Sequence, residues 1–167
     1  MSRSHLLIIG EATALAWVLA ERRMAFPARR RSQAAALEIG DELLVYTTRG
    51  CFHNPTRDPG RIMGLATVNT SVRDLAEPVV FGERRYTSGC TLDIQGVAPL
   101  REGVELRPLV PELHVFPDTK SWSVRLRRAL VPLDEHDAAL LKRHLAPLLE
   151  PLDRHLDAYI RAGKRRS

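Results

Sequence analysis

The sequence predicts an α+β fold: a small, curled, mostly antiparallel sheet or barrel, flanked by helices and followed by a C-terminal helical segment. Three observations predict it. The chain opens with a short apolar run and an amphipathic helical stretch. Its middle is a series of short strand candidates. Its last part carries leucines at helical spacing.

His5 to Ile9 reads as a buried strand ending at Gly10. Glu11 to Arg23 reads as a helix, because Ala12, Leu15, Ala16 and Leu19 recur at i, i+3, i+4 and i+7. Glu11 near its start and Arg22-Arg23 near its end suit the helix dipole, and Phe26-Pro27 ends it. A basic run, Arg29-Arg30-Arg31, leads into a short helical piece through Leu37. Gly40-Asp41 is a turn before the strand Leu43 to Thr48.

Arg49 to Arg61 is a loop containing Asp58-Pro59-Gly60, which has the residues of a type II turn. Arg61 to Val72 reads as a long strand with Ile62, Gly64, Ala66 and Val68 on one face. Pro78 to Phe81 and Cys90 to Val97 are further strands; in the second, Cys90, Leu92 and Ile94 alternate with polar residues. Val104 to Val110 is another candidate strand, and Pro111 to Pro117 a turn region. Trp122 to Val131 fits a strand or one helical turn equally. Asp134 caps a helix, and the stripe Leu141, Leu145, Leu148, Leu149, Leu152, Leu156, Tyr159 continues past Pro147 and Pro151, which split or kink it.

The chain has 167 residues, which suits a single domain, with a core of about 5–145, a helical extension over 146–162 and a basic tail over 163–167. Hydrophobic residues make up 44% and charged residues 27%, enough for a core and unlike a disordered chain. The formal net charge is +5, carried by 22 Arg and only 3 Lys, and favours an anionic partner. The start, with Arg3 before Leu6 to Ile9, looks like a signal sequence, but Glu11 interrupts the apolar run and no cleavage site follows; the expectation is a cytoplasmic protein. No stretch reaches a membrane span of about 18 apolar residues. Cys51 and Cys90 are read as buried thiols, with one disulfide left open.

The segment Ile39-Gly40-Asp41-Glu42-Leu43-Leu44-Val45-Tyr46 resembles the Gly-Asp, apolar strand and closing Tyr of EVE domains, members of the PUA-like superfamily and relatives of the YTH readers. Arg61-Ile62-Met63-Gly64-Leu65-Ala66-Thr67-Val68 is similar to that family's I-x-G-x-A-x-V strand. Phe116 to Leu133, with Trp122 and the closing Val131-Pro132-Leu133, is similar to its late Trp segment. The resemblance covers roughly Leu6 to Leu145. It implies a PUA-like small barrel whose mouth receives a single base, often a modified one, of DNA or RNA. The chain departs from the family at its start: the early Trp there follows the first strand quickly, whereas Trp17 falls inside a helical pattern.

A base lifted from its stack is held by aromatic faces and selected by hydrogen bonds to its edge, while Arg and Lys hold the flanking phosphates. Among nine aromatics, the candidates for the pocket are Trp17, Phe26, Tyr46, Phe52 and Trp122. Thr47, Thr48 and Asn54 are its polar candidates. Arg29, Arg30, Arg31, Arg49, Arg57, Arg61, Lys120, Arg125 and Arg127, with Arg128 beside them, are candidates for phosphate.

Enzyme signatures are poor: there is no G-x-S-x-G, phosphate loop or H-E-x-x-H, and no cofactor or metal is expected. Cys51 and His53, two apart, are a weak nucleophile pair, and a weak metal set with Cys90 or His114. The expected function is a nucleic-acid-binding module that recognises a single modified base and acts as a monomer away from membranes. One alternative is a small hydrolase of modified nucleosides using Lys120, Thr47 or Thr48, and Glu11 or Glu42. Another is a protein-interaction module that self-associates through its terminal helix. His136, His144 and His155 are read as solvent-facing.

Overall fold

The computed structural model describes residues 2–54 and 58–164. At its centre two strands run in parallel: β1 (Ser4–Ile9) beside β3 (Glu42–Thr47), with His5 opposite Leu43 and Ile9 opposite Thr47. A parallel pair needs a crossover, here made of α1 (Ala12–Glu21), β2 (Arg23–Phe26) and the short α2 (Arg31–Ala35). The rest of the sheet is antiparallel. β4 (Arg61–Val68) pairs with β3; β5 (Arg73–Phe81) and β6 (Arg84–Val97) form a hairpin; β7 (Val104–Glu105) pairs with β4; β8 (Leu130–Leu133) pairs with β1. The order is β2-β6-β4-β3-β1-β8, with β5 on β6 and β7 on β4. Pro132 sits in the terminal strand β8, where a missing amide donor is tolerated. α3 (Glu135–Leu145) and α4 (Leu152–Lys164) complete the fold.

The central strands are apolar at almost every position because both faces of the sheet are covered. Leu7, Ile9, Leu43 and Val45 enter one core with Leu15, Val18 and Leu19 of α1 and Tyr159 of α4. Leu6, Leu44 and Tyr46 enter the other, with Leu141 and Leu145 of α3 and with Leu106, Leu109 and Phe116. β4 changes allegiance midway. Val45 faces Gly64 but Tyr46 faces Ile62, so Met63 is one residue extra. Such a bulge exchanges the faces of a strand. Ile62 therefore lies in the second core and Ala66 and Val68 in the first, not on one face as their spacing predicts.

Several boundaries differ from the sequence expectation. The first helix stops at Glu21, not Arg23: Arg22 adopts a left-handed backbone (φ 52°) and the chain reverses into β2, which is too short to show a period. β4 ends at Val68. β5 begins at Arg73 and β6 at Arg84, both earlier than their apolar patterns suggest. Val104 to Val110 yields only the two-residue β7 followed by a 3-10 helix (Arg107–Glu112). The ambiguous stretch after Trp122 resolves into a 3-10 helix (Trp122–Arg127) and then β8.

The leucine stripe is divided as the prolines require. α3 ends at Leu145, and the segment between Pro147 and Pro151 hydrogen-bonds to the end of β6 through Val97 and Glu150. α4 is not an appendage. Tyr159 is buried and donates its hydroxyl to the Ala98 carbonyl at 2.6 Å, and Gly163 packs on the Ala12 carbonyl of α1. Its apolar stripe is thus covered by its own chain. His136 and His144 are exposed, but His155 is mostly covered and bonds Glu150 at 2.8 Å. Cys51 and Cys90 are free and buried. Among the described residues no helix is long and apolar enough to cross a membrane.

Three carboxylates fasten a helix start and two loops. Asp134 caps α3 by accepting from the Asp137 amide at 2.8 Å, and the buried Asp137 accepts from the His114 and Val115 amides at 2.9 and 2.8 Å. Asp41, following Gly40 at φ 92°, is buried and accepts from the amides of Arg3 and Glu38, both at 3.0 Å. His5 Nε2 lies 3.5 Å from Asp41 Oδ2.

Replacing Tyr159 by Phe leaves the Ala98 carbonyl unpaired and is expected to cost about 1–2 kcal/mol, read from the urea midpoint. A second expectation concerns pH. Burial holds the pKa of His5 below its ordinary value, with Asp41 opposing. The unfolded chain then binds the extra proton, so this contribution is complete above the unfolded value, about 6.5, and is lost as pH falls. The hydrogen bond to Asp134 raises the pKa of His114, so its contribution has the opposite sign: present below the unfolded value and lost as pH rises through the folded one. Urea midpoints followed across this range should lose their acid-side decline in His5→Gln and their alkaline-side decline in His114→Gln.

Candidate nucleic-acid interface

The crossover from β1 to β3 brings α1, β2 and the end of β1 to one edge of the sheet, where the β5–β6 hairpin meets them. That hairpin turns on Gly82 (φ 63°), with Phe81 paired to Arg84. A glycine at the first place of a two-residue turn lets the strands continue without splaying. The turn sets Phe81 and Tyr86 against Trp17 of α1. Trp17 meets Phe81 edge-on at 5.7 Å between ring centroids, and Phe81 meets Tyr86 in the same way at 5.3 Å. The Arg23 guanidinium lies 5.2 Å from the Trp17 ring centroid. All three rings are partly exposed and line a cavity of about 250 Å³.

Ile8, Gly10 and Ala14 line the same cavity, and Phe26 lies beneath it, fully buried. Its rim is cationic: Arg29, Arg30, Arg84, Arg127 and Arg128, with Glu11 the one acidic group lining it among the described residues. Arg30 donates to the Arg127 carbonyl at 2.7 Å, tying the segment after Trp122 to the crossover. Among the described residues, Arg29, Arg84, Arg127 and Arg128 form no ion pair.

A second cavity, about 570 Å³, opens beside the first and shares Thr48 and Leu126 with it. Tyr46, Arg49, Gly60, Arg107 and Trp122 line it. Trp122 is half-buried and held edge-on by Phe116 at 5.7 Å. Tyr46 is 3% exposed, and a side chain at Gly60 would overlap its hydroxyl. Burial pushes the phenol pKa up to about 12, so it stays a neutral donor.

The structure therefore divides the residues that the sequence suggests for one pocket. Trp17 and Phe26 go to the first cavity, Tyr46 and Trp122 to the second, and Thr48 to their common wall. Thr47 points elsewhere: it is buried and donates to the Arg61 carbonyl at 3.3 Å. Phe52 packs against the first core with the Arg101 guanidinium 5.4 Å from its ring centroid, and Asn54 accepts the Asp58 amide through its backbone; neither lines either of these two cavities.

The arginines divide too. Arg29, Arg30 and Arg127 stand at the first cavity and Arg49 at the second. Arg31 turns to Asp74 at 3.3 Å. Arg61 turns inward to Asp58, which is 1% exposed, at 3.6 Å; Arg101 meets the same carboxylate at 3.0 Å. Arg61 is thus part of an internal ion cluster, because the loop after β3 buries an aspartate that requires cations. Lys120 and Arg125 are exposed outside both cavities. Arg57 lies outside the described residues.

Phe81, Arg84 and Tyr86 at the first cavity, and Arg107 at the second, are site residues that sequence reasoning misses. The hairpin's signal is present: Phe81-Gly82-Glu83-Arg84-Arg85-Tyr86 carries an aromatic on each side of a two-residue turn.

Among the described residues the candidates for the rival chemistries do not all meet. Thr48 and Glu11 line the first cavity, but Glu42 is bound to Lys142 at 2.7 Å, and Lys120 stands outside. Burial pushes the Cys51 thiol up to about 12 and the Cys90 thiol up to about 11, which suits core packing and not nucleophilic attack. His114 groups with Asp134, His136 and Asp137, not with either cysteine, and their ligand atoms lie within 4.8 Å of one another. The donors there already bond each other: His114 to Asp134 at 2.8 Å and His136 to Asp137 at 2.9 Å.

No family model and no curated protein matches the chain. Solved structures do match in fold. A protein from Pseudomonas syringae is 13% identical, with 85% of this chain and 99% of that one covered, at a TM-score of 0.55. The Pho92 YTH domain, solved in complex with m6A, is 14% identical, covering 86% and 83%, at 0.56. The Mmi1 YTH domain, solved in complex with RNA, is 9% identical, covering 86% and 77%, at 0.51. At such identities the likeness shows the fold alone: the chain shares the fold of these YTH domains.

Replacing Arg61 by Ala removes one of the cations that the described residues place on the buried Asp58 and is expected to lower stability by about 1–3 kcal/mol. The urea midpoint measures it, and an unchanged midpoint would return Arg61 to the surface cations.

Proposed function

We propose that this chain binds nucleic acid, of DNA or RNA, and takes a single, modified base into the first cavity. One observation carries the reading: a wall of three partly exposed aromatics, Trp17, Phe81 and Tyr86, under a rim of arginines that form no ion pair among the described residues. The chemistry of each part suits the task. At about 250 Å³ the cavity is smaller than the sites of drug-sized ligands, roughly 300–1,000 Å³, and suits one flat ring system. Stacking on such a wall contributes about 1–3 kcal/mol per base and offsets the cost of unstacking. Arg29, Arg84, Arg127 and Arg128 hold the flanking phosphates. Glu11 accepts from an amino group of the base edge, and the Thr48 hydroxyl donates or accepts beside it.

The fold adds support, because two of the similar structures are YTH domains in complex with m6A or with RNA. The chain acts as one domain and as a monomer, since its terminal helix is already covered by its own first core.

Equilibrium binding to matched oligonucleotides, with and without cytosine or adenine modification, tests this across a salt series. Affinity should rise with one modification and fall with salt, with a log–log slope of about 0.7–0.9 per phosphate neutralised. Trp17→Ala should weaken binding of the preferred strand by at least tenfold. Arg84→Ala should weaken all sequences alike and reduce the salt slope by about 1. Absence of binding at low salt would reject the reading.

A further inference from the structure

We propose that the second cavity is a subsite for the nucleotide adjacent to the base held in the first, so that the chain reads two consecutive units of a single strand. This rests on the function proposed above and adds to it a partner class and a second set of residues.

The first ground is continuity. Thr48 and Leu126 line both cavities, so the two adjoin and a strand leaving one reaches the other. A second ground is the wall. Trp122 meets Phe116 in a T-shaped contact, is half-buried and lines the cavity, so its exposed part offers a stacking surface there. Its position is also fixed relative to the first cavity. Trp122 opens the 3-10 helix that ends at Arg127, and Arg30 of the crossover grips the Arg127 carbonyl at 2.7 Å. A third ground is charge: Arg107 is exposed at this cavity and forms no ion pair among the described residues, so it can meet a phosphate.

Size and shape then select the occupant. At about 570 Å³ the second cavity is more than twice the first and admits a base together with its sugar. A base seated in each cavity is taken out of its stack and its pair, so the partner this subsite selects is a single strand, or one locally opened.

The test uses the whole chain and short single strands carrying the preferred modified base at the centre, with an abasic residue placed on one side of it or the other. Wild type should lose about tenfold in affinity when one particular neighbour is abasic, the loss of one stacked base. Trp122→Ala should bind the intact strand about tenfold more weakly and be indifferent to that abasic site, and Trp122→Phe should recover most of both effects. Arg107→Ala, on an exposed residue, should reduce the salt slope by about 1 without altering the preference for the modified base.

An abasic neighbour that costs wild type nothing overturns the subsite. So does a cost that persists undiminished in Trp122→Ala. If modification of the central base itself makes no difference while the neighbour effect appears, the single-base reading fails and the second cavity stands alone as a stacking site. If wild type binds no strand, both readings fall together.

Discussion

The parallel pairing of β1 with β3 is the constraint from which the candidate site follows. Two strands in one direction oblige the chain to leave the sheet and return, and the return is made of α1, β2 and α2. This excursion puts Trp17, Phe26 and the arginine run at the same edge. Burial of β1 and β3 on both faces makes their pairing hard to shift, because a one-residue slip would exchange two complete cores. Trp17 thus rests on the most buried part of the molecule, while Phe81, Tyr86 and Arg84 come from the hairpin and Arg127 and Arg128 from the segment before β8.

The two cavities divide the work between rigid and tethered parts. Trp17 is anchored through α1, whose inner face packs on α4 and the sheet. Trp122 is anchored through a 3-10 helix, held by Phe116 on one side and by the Arg30 contact on the other. Arginine serves three purposes in the same region. Arg30 fastens backbone, Arg61 and Arg101 neutralise a buried aspartate, and Arg29, Arg84, Arg127 and Arg128 face outward. A guanidinium with several fixed donors suits each of these uses, so a run of arginines in the sequence does not distinguish them.

What was legible followed from period and punctuation. The double-sided strands, the amphipathic first helix, the Asp134 cap and the division by Pro147 and Pro151 are local patterns, and all appear in the structure. The Gly-Asp pair shows why a short motif can mark a fold: Gly40 supplies the positive φ and Asp41 receives two amides that join the turn to the first strand. β2 was not legible, because four residues carry no period and its partner lies more than sixty positions away. The allegiance of β4 was hidden by a bulge that has no residue signature. Among the site residues, Trp17, Phe26, Tyr46, Thr48 and Trp122 were found by type and neighbourhood, but their division between two cavities depends on tertiary placement. Phe81 and Tyr86 escaped because a turn flanked by aromatics reads first as a hairpin and only afterwards as a wall.

The contact between the first and last helices has a consequence for how the molecule assembles. Thr13 of α1 donates to the Gly163 carbonyl of α4, a bond between residues 150 positions apart, and Tyr159 closes the same core. Closing so long a loop is slow relative to forming local turns. During synthesis the helix bearing Trp17 leaves the ribosome long before the helix that covers its other side exists. Until then α1 carries an unpartnered apolar face. Trp17 is therefore made well before the helix that holds its own helix in place.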